Sequence, residues 1–203
     1  MFPTIQDKIT LYNRYAKDYE QRTSGFKQFI TTDYQIFMDN LPGKRILDIG
    51  AGPGRDCEVF KHSGFMPVAL DISDEMLALC RAKGIATLRM DIENLDLPGN
   101  SYDGIWSYTA FTTIPKFRVW AIVDSLAKIL VPGGCLFLGL IEGRLQGWKP
   151  ADQKYQFKRY TSRYISHEVI TKLSRRYQLL YFRRLDKTEN GRNTYLNFLW
   201  QRK

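Results

Sequence analysis

Cysteine and histidine are scarce in this chain of 203 residues, which holds three of the first and two of the second. Cys57, Cys80 and Cys135 form no CxxC pair and leave an odd count, which argues against a disulfide framework and fits a reducing compartment. His62 and His167 lie far from any ligand-like spacing, and no metal site is expected. A long apolar run is missing as well: there is no window of about 18 uncharged apolar residues. The opening MFPTIQDKITLYNRY mixes charges into its first turns, where an export signal would set a basic end before an apolar block. The expectation is a soluble, cytoplasmic protein with no membrane partner. Repeats and low-complexity segments are absent too, and the length suits one α/β-sized domain better than two.

Charge is present but lopsided. The net charge is +9, yet residues 1–141 hold 15 Lys/Arg against 16 Asp/Glu, whereas residues 142–203 hold 15 against 5. All the excess lies at the back. A basic segment of this kind suits an anionic small molecule bearing phosphate or carboxylate, a nucleic acid, or a solubilising surface.

Periodicity predicts two helices first. Ile5, Ile9, Tyr12, Tyr15, Ala16 and Tyr19 share one stripe of a helix over 5–22, and Phe26, Phe29, Ile30 and Phe37 face inward from a second over 26–40. Strands and helices then alternate. Short apolar strands are expected at 45–49, 66–71, 85–90, 102–107 and 134–141, with helices at about 54–63, 74–83 and 117–130. Gly64, Gly84 and the Pro132-Gly133-Gly134 run stop those helices. Such alternation implies a parallel sheet covered on both faces, with a ligand at the carboxyl ends of its strands. Beyond a polar, aromatic loop near 143–163, Ser166 is placed to cap a helix over 167–176. Strands at 177–186 and 194–200 then flank a turn at Glu189-Asn190-Gly191.

The stretch ILDIGAGPGRD packs three glycines into five positions at a strand-to-helix turn. There the main chain can take positive φ and approach a ligand with no Cβ in the way. A dinucleotide fingerprint would need Gly or Ala three residues after Gly52, where Arg55 stands, so a nicotinamide cofactor is disfavoured. Asp48 precedes the glycines, Asp71 ends the second strand and Asp91 ends the third. Three acids repel a pyrophosphate and suit a ligand with a cationic amino group and a sulfonium. The two oxygens of Asp71 also suit the hydroxyl pair of a ribose.

These segments together resemble a class I S-adenosylmethionine-dependent methyltransferase. The matching residues are ILDIGAGPG at 46–54, VALDISDEML at 68–77, RMDIENLDLP at 89–98, YDGIWSYTAF at 102–111 and LVPGGCLFL at 130–138. The likeness is close over residues 42–141 and looser over 164–201. It implies a three-layer α/β, Rossmann-like sheet, mostly parallel with an antiparallel C-terminal strand, under an N-terminal helical cover. As a single methyltransferase domain, residues 1–41 would be the cover, 42–141 the cofactor-binding core, and 142–203 a substrate-side loop, helix and closing strands. By the same resemblance S-adenosylmethionine is the cofactor, with Gly50, Gly52 and Gly54 bordering its methionine part. Asp71 would hold the ribose, Ile72 would lie against the adenine, and Asp91 with Ile92 would read the adenine edge. Asp48 would support the loop and the amino group, and Ser107 would offer its backbone carbonyl near the sulfonium.

Relatives acting on small molecules often carry histidines just after strand four, where this chain reads AFTTIPK. The obvious proton acceptor is gone, and the catalytic residue is left unassigned among Tyr108, Thr113 and Tyr19. Nor is there an Asn/Asp-Pro-Pro-Tyr signature after strand four, where SYTAF stands. Tyr12 and Tyr15 on the cover, Tyr108 and Phe111 after strand four, and Tyr160 in the variable loop are the candidates for substrate contact. Trp148, Tyr155 and Phe157 would join Tyr160 in a lid or a small satellite core. The expected activity is methyl transfer to oxygen or nitrogen of a small molecule, mainly by proximity. An RNA methyltransferase using the basic tail is the first rival, and a non-catalytic cofactor-binding module is the second.

Overall fold

A computed structural model describes residues 2, 4–149, 159–191 and 193–203. Helix α1 (Ile5–Thr23) begins at Thr4, whose hydroxyl accepts the Asp7 N–H while the Asp7 carboxylate accepts the Thr4 N–H. The cover continues as a 3-10 segment (Ser24–Ile30) and helix α2 (Thr31–Asp39). One helix over 26–40 was expected, and the difference has a local cause. Ser24-Gly25 is poor helix material, while Phe26 and Ile30 are held by burial against the sheet. Within α1 the backbone also leaves helical geometry at Tyr15.

Strands β1 (Arg45–Ile49), β2 (Met66–Asp71), β3 (Ala86–Arg89), β4 (Tyr102–Tyr108) and β5 (Leu130–Ile141) alternate with helices α3 (Arg55–His62), α4 (Asp74–Ala82) and α5 (Lys116–Ile129). After them come a ribbon of β6 (Gln146–Lys149) and β7 (Arg159–Ser162), helix α6 (Ser166–Leu173), β8 (Tyr177–Leu185), helix α7 (Lys187–Asn190) and β9 (Tyr195–Arg202). The large sheet has the order β3-β2-β1-β4-β5-β9-β8. Its first five strands are parallel, and β9 runs antiparallel between β5 and β8. The chain reverses order beside β1, which leaves a crevice between the ends of β1 and β4.

Period-two alternation builds the three layers. Leu47, Ile105, Leu136 and Phe198 join a core with Val119, Val123 and Val169 of α5 and α6. Their neighbours Ile46, Trp106, Phe137 and Leu199 join a second core with Phe26, Tyr34 and Phe37 of the cover. The cover is therefore part of the core on that face.

Three further expectations change. Ser166 is the first helical residue, and Ile165, which makes no side-chain cap, precedes it. The preceding Tyr164 is tied to β5 by its N–H to the Ile141 carbonyl at 2.9 Å, so the helix starts immediately after it. The region 143–163 is not all loop, since β6 and β7 pair antiparallel from Gln146 opposite Ser162 to Lys149 opposite Arg159. The turn at 189–191 is the end of α7, which opens on an Asp186–Glu189 capping box and closes on left-handed Gly191. Among the described residues no helix is long and apolar enough to cross a membrane.

Candidate active site

The glycine loop is shaped by three positive φ angles, +67° at Gly50, +56° at Gly52 and +80° at Gly54. They serve different ends. A Cβ on Gly50 would lie 2.4 Å from the Ala110 Cβ, so the loop presses directly on the segment after β4. A Cβ on Gly52 would meet only the Tyr19 ring, at 3.7 Å, and backbone conformation alone asks for glycine there. Gly54 packs against Cys80, 2.9 Å from where its Cβ would be, and lets α3 lie close to α4.

A cavity of about 490 Å³ opens at the carboxyl ends of the strands. Gly50, Gly52, Asp71, Ile72, Asp91 and Ile92 line one end, and Lys8, Tyr12 and Tyr19 of α1 line it as well. Tyr108, Thr109, Thr112 and Thr113 continue the wall, which also includes Ile141, Thr161, Asn193 and Tyr195. Helix α1 is fastened across the strand ends at three points. Lys8 pairs with Glu93 at 2.9 Å, Asn13 accepts the Ser73 hydroxyl at 2.7 Å, and Glu20 pairs with Lys83 at 2.7 Å. The same Lys83 ammonium donates to the Pro53 carbonyl at 2.7 Å, which ties the cover to the glycine loop.

Asp71 accepts the Gly52 N–H at 2.9 Å and the Ser73 N–H at 3.0 Å. Burial raises its pKa even so, and the N–H groups of Ser73, Gly52 and Ile72 only temper the effect. Such a carboxylate gains from hydrogen-bond donors or positive charge in the cavity. Asp91 holds a turn: its oxygens accept the Glu93 N–H at 3.0 Å and the Asn94 amide at 3.1 Å.

Asp48 is buried behind the loop and accepts the Cys57 thiol at 3.3 Å. Burial first, and then repulsion from Asp56, push its pKa well up. Asp56 moves the other way. Burial would raise it, but the Arg55 guanidinium and hydrogen bonds from Arg55, Tyr34 and Trp106 bring it below the usual carboxylate value. Arg55 itself lies over the rings of Phe26 and Tyr108, at 5.4 and 5.8 Å. One buried ion pair therefore links the cover, through Tyr34, to β4, through Trp106.

Six of the remaining sequence candidates occupy varied positions. Ser107 is buried and spends its hydroxyl on the Ile49 carbonyl at 3.1 Å, bridging β4 to β1. Phe111 packs into the core on the α5 face, outside the cavity wall. Tyr160 is buried beside Phe2 and Trp148, with ring centroids 5.6 and 5.8 Å away. Tyr15 does not line the cavity, whereas Tyr12 does and meets Tyr19 edge-on at 6.4 Å. Tyr108 has its ring against Phe26 and Tyr195, and its pKa is driven well above that of an ordinary phenol, by burial and then by Tyr195 and Asp33. It stays protonated and is no base. Thr113 donates its hydroxyl to the Ala110 carbonyl at 2.9 Å. Tyr155 and Phe157 lie outside the described residues.

Sequence reasoning did not single out Lys8, Arg22, Thr109, Thr161, Asn193 and Tyr195, all of which line the cavity. One signal is visible only in the backbone. Thr109 follows β4 at φ +69°, a left-handed conformation that a β-branched residue rarely takes. Strand pairing brings Tyr195 opposite Ile141, while Lys8 and Arg22 arrive on α1.

Comparison with known proteins meets this geometry at the glycine loop and the three strands around it. Residues 46–134 match a family described as a methyltransferase domain. Over that stretch the chain is similar to methyltransferase domains. The chain is 32% identical over 165 residues to a malonyl-[acyl-carrier protein] O-methyltransferase from Pectobacterium atrosepticum, covering 78% of this chain and 60% of that one. It is 29% identical over 120 residues to a ubiquinone biosynthesis O-methyltransferase from Xanthomonas campestris, covering 55% of this chain and 49% of that one. The chain thus spans 60% and 49% of the length of these two relatives. In structure it resembles the Burkholderia thailandensis 1,6-didemethyltoxoflavin-N1-methyltransferase, with a TM-score of 0.75 at 17% identity over 98% of this chain and 86% of that one. That enzyme was crystallised with 1,6-didemethyltoxoflavin and S-adenosylhomocysteine. The matched stretch holds the glycine loop and runs from β1 into the start of β5, and the shared fold extends to β8 and β9.

Proposed function

We propose that the protein transfers a methyl group from S-adenosylmethionine to an oxygen or nitrogen of a small-molecule acceptor. One observation carries the reading: a continuous cavity runs from Asp71 and Asp91 at the ends of β2 and β3 to Thr109 and Tyr195 beside β4 and β5. Two ligands can meet in it end to end. The cofactor supplies a methyl group already activated on a positively charged sulfur, and the wall fits it chemically. Asp71 suits the ribose hydroxyls, Ile72 and Ile92 the flanks of the adenine, and Asp91 its edge. Gly50 and Gly52 leave room for the methionine part, with Asp48 supporting the loop from behind, Gly54 setting the start of α3, and the Ser107 carbonyl on the sulfonium side.

In-line displacement from such a donor needs placement and exclusion of water more than acid–base chemistry, and orientation can contribute about 7–11 kcal/mol. Tyr12 and Tyr19 on α1 line the cavity and in this reading roof the reacting ends. The names of the relatives and of the structural neighbour, two O-methyltransferases and one N1-methyltransferase, support oxygen or nitrogen as the methylated atom. Three of the fifteen Lys/Arg of the tail are engaged with acids among the described residues: Arg183 with Asp33, Arg184 with Glu142, and Arg176 with Asp124. That weighs for a small acceptor and against a platform for RNA. The whole chain acts as one unit in this reading, with 1–41 covering, 42–141 holding the cofactor and 142–203 closing the acceptor end.

Thermal melting tests it. S-adenosylmethionine and S-adenosylhomocysteine at 100 times their dissociation constants should each stabilise the fold by about 2.7 kcal/mol, and NAD should not. No shift with either sulfur compound ends the reading.

A further inference from the structure

The residue after β4 holds a conformation that the chain elsewhere gives to other residue types. Among the described residues, positive φ falls on nine glycines, on Asn100 and on Thr109. Glycine takes it freely and asparagine with little strain, whereas a branched Cβ crowds the backbone. Thr109, at φ +69° and ψ −3°, leads into the 3-10 turn Ala110–Thr113. A turn alone asks for glycine or asparagine. Threonine there costs stability, and such strain gathers at sites that require one particular side chain.

The surroundings fix this conformation from both sides. Tyr108 before it is pressed on β5: a Cβ on Gly139 would lie 2.4 Å from the Tyr108 ring, and Phe26 and Tyr195 close on that ring with centroids 5.4 and 5.5 Å away. Ala110 after it meets the glycine loop, its Cβ 2.4 Å from where a Cβ on Gly50 would be. Both backbone groups of Thr109 are bonded as well. Its N–H donates to the Gly139 carbonyl at 2.8 Å, and its carbonyl accepts the Thr112 N–H at 3.0 Å and the Thr112 hydroxyl at 2.6 Å. Thr109 lines the cavity, and its hydroxyl is the polar group that remains for a ligand. The residue stands between the glycine loop, through Ala110, and the wall of Ile141 and Tyr195, through β5. Two ligands lying end to end would touch there.

We infer that Thr109 orients the methyl acceptor: its hydroxyl hydrogen-bonds the oxygen or nitrogen to be methylated and turns a lone pair of that atom toward the methyl group. The inference rests on the methyltransferase reading above and gives its acceptor site a named residue. A hydroxyl both donates and accepts, so it serves either atom. The reaction balances without it. A lone pair of the acceptor forms the bond to the methyl carbon, the S–CH3 pair stays on sulfur as a neutral thioether, and a proton carried by the acceptor passes to solvent. Thr109 supplies direction, and the fixed backbone beneath it holds that direction.

Three variants separate the hydroxyl from the strain. Thr109→Val removes the hydroxyl and keeps the branched shape, Thr109→Ser keeps the hydroxyl, and Thr109→Gly removes hydroxyl and strain together. The full chain is given S-adenosylmethionine labelled in its methyl group and the small-molecule fraction of a cell extract, and the label entering small molecules is timed. Transfer is expected to be roughly tenfold slower or more in Thr109→Val and Thr109→Gly, the loss of about one hydrogen bond, and within about threefold of the wild type in Thr109→Ser. The melting shift produced by S-adenosylmethionine is expected to stay the same in all three. Without ligand, Thr109→Gly is expected to melt no lower than the wild type, because glycine takes positive φ freely. Wild-type rates in Thr109→Val, a Thr109→Ser as slow as Thr109→Val, or a Thr109→Gly that melts below the wild type would overturn the inference. Loss of the fold in Thr109→Val leaves the same comparison to the serine and glycine variants. A wild type that labels nothing in the extract ends the methyltransferase reading and this inference with it, whereas label transferred equally by wild type and Thr109→Val ends the inference alone.

Discussion

The Gly52 N–H donates to the Asp71 carboxylate at 2.9 Å, so the end of β2 holds the glycine loop at the end of β1. One side chain thus has two duties, shaping the loop and facing the cavity. Asp71→Ala should weaken S-adenosylmethionine binding by about 1.5–3 kcal/mol for each lost hydrogen bond to the charged group, roughly tenfold to a hundredfold. Asp91→Ala should cost less, since the Asp91 oxygens are engaged with Glu93 and Asn94 in their own turn. Calorimetric titration of both variants checks the order, and wild-type affinity in Asp71→Ala would remove Asp71 from the site.

Gly50 and Gly52 should respond differently to alanine. Each forces an L-residue to positive φ, a cost of about 1–2 kcal/mol, but only at Gly50 does the new Cβ collide, 2.4 Å from Ala110. Gly50→Ala is therefore expected to lower stability more than Gly52→Ala. Pairing it with Ala110→Gly should recover the steric part and leave the conformational part. Urea denaturation of the four proteins resolves the two contributions. Equal losses in the single variants would show that the approach of Gly50 to Ala110 is not tight.

Two buried carboxylates should give stability opposite pH dependence. Asp56 has a folded pKa below its unfolded value, so its contribution is present above the unfolded pKa near 4 and fades as pH falls through the folded one. Asp48 has a folded pKa above its unfolded value, so the folded state binds the extra proton and stability declines as pH rises through that window. Asp56→Asn should then be less stable than the wild type at pH 7 and approach it in acid. Asp48→Asn, which imitates the neutral acid, should match the wild type near pH 4 and surpass it at pH 8. Melting temperatures at four pH values give both slopes, and parallel curves for Asp48→Asn and wild type would refute the assignment for Asp48.

The two-face alternation of β1, β4 and β5 was readable in the chain because adjacent residues such as Ile46 and Leu47 must serve different layers. The same holds for the glycine loop, whose composition is dictated by local backbone geometry, and for Asp71, which a strand end delivers to the rim. The ribbon of β6 and β7 was not readable. Its sequence is polar and aromatic without a clean alternation, and its two strands are separated by nine residues of chain. Ser166 failed as a cap because the Tyr164 hydrogen bond to β5, a tertiary contact, decides where the helix begins.

The fold class and the glycine-loop end of the cavity were determined by the sequence itself, because both depend on short-range rules: strand period, helix stops, and glycine where φ must be positive. The other end was decided by tertiary structure. Arg22, Thr109, Thr161 and Tyr195 lie as much as 173 positions apart in the chain and share a wall only because β9 inserts antiparallel beside β5 while α1 folds back across the strand ends. Contacts between such distant residues leave no local pattern, since each residue satisfies its own helix, strand or turn first and acquires its neighbours only when the layers close.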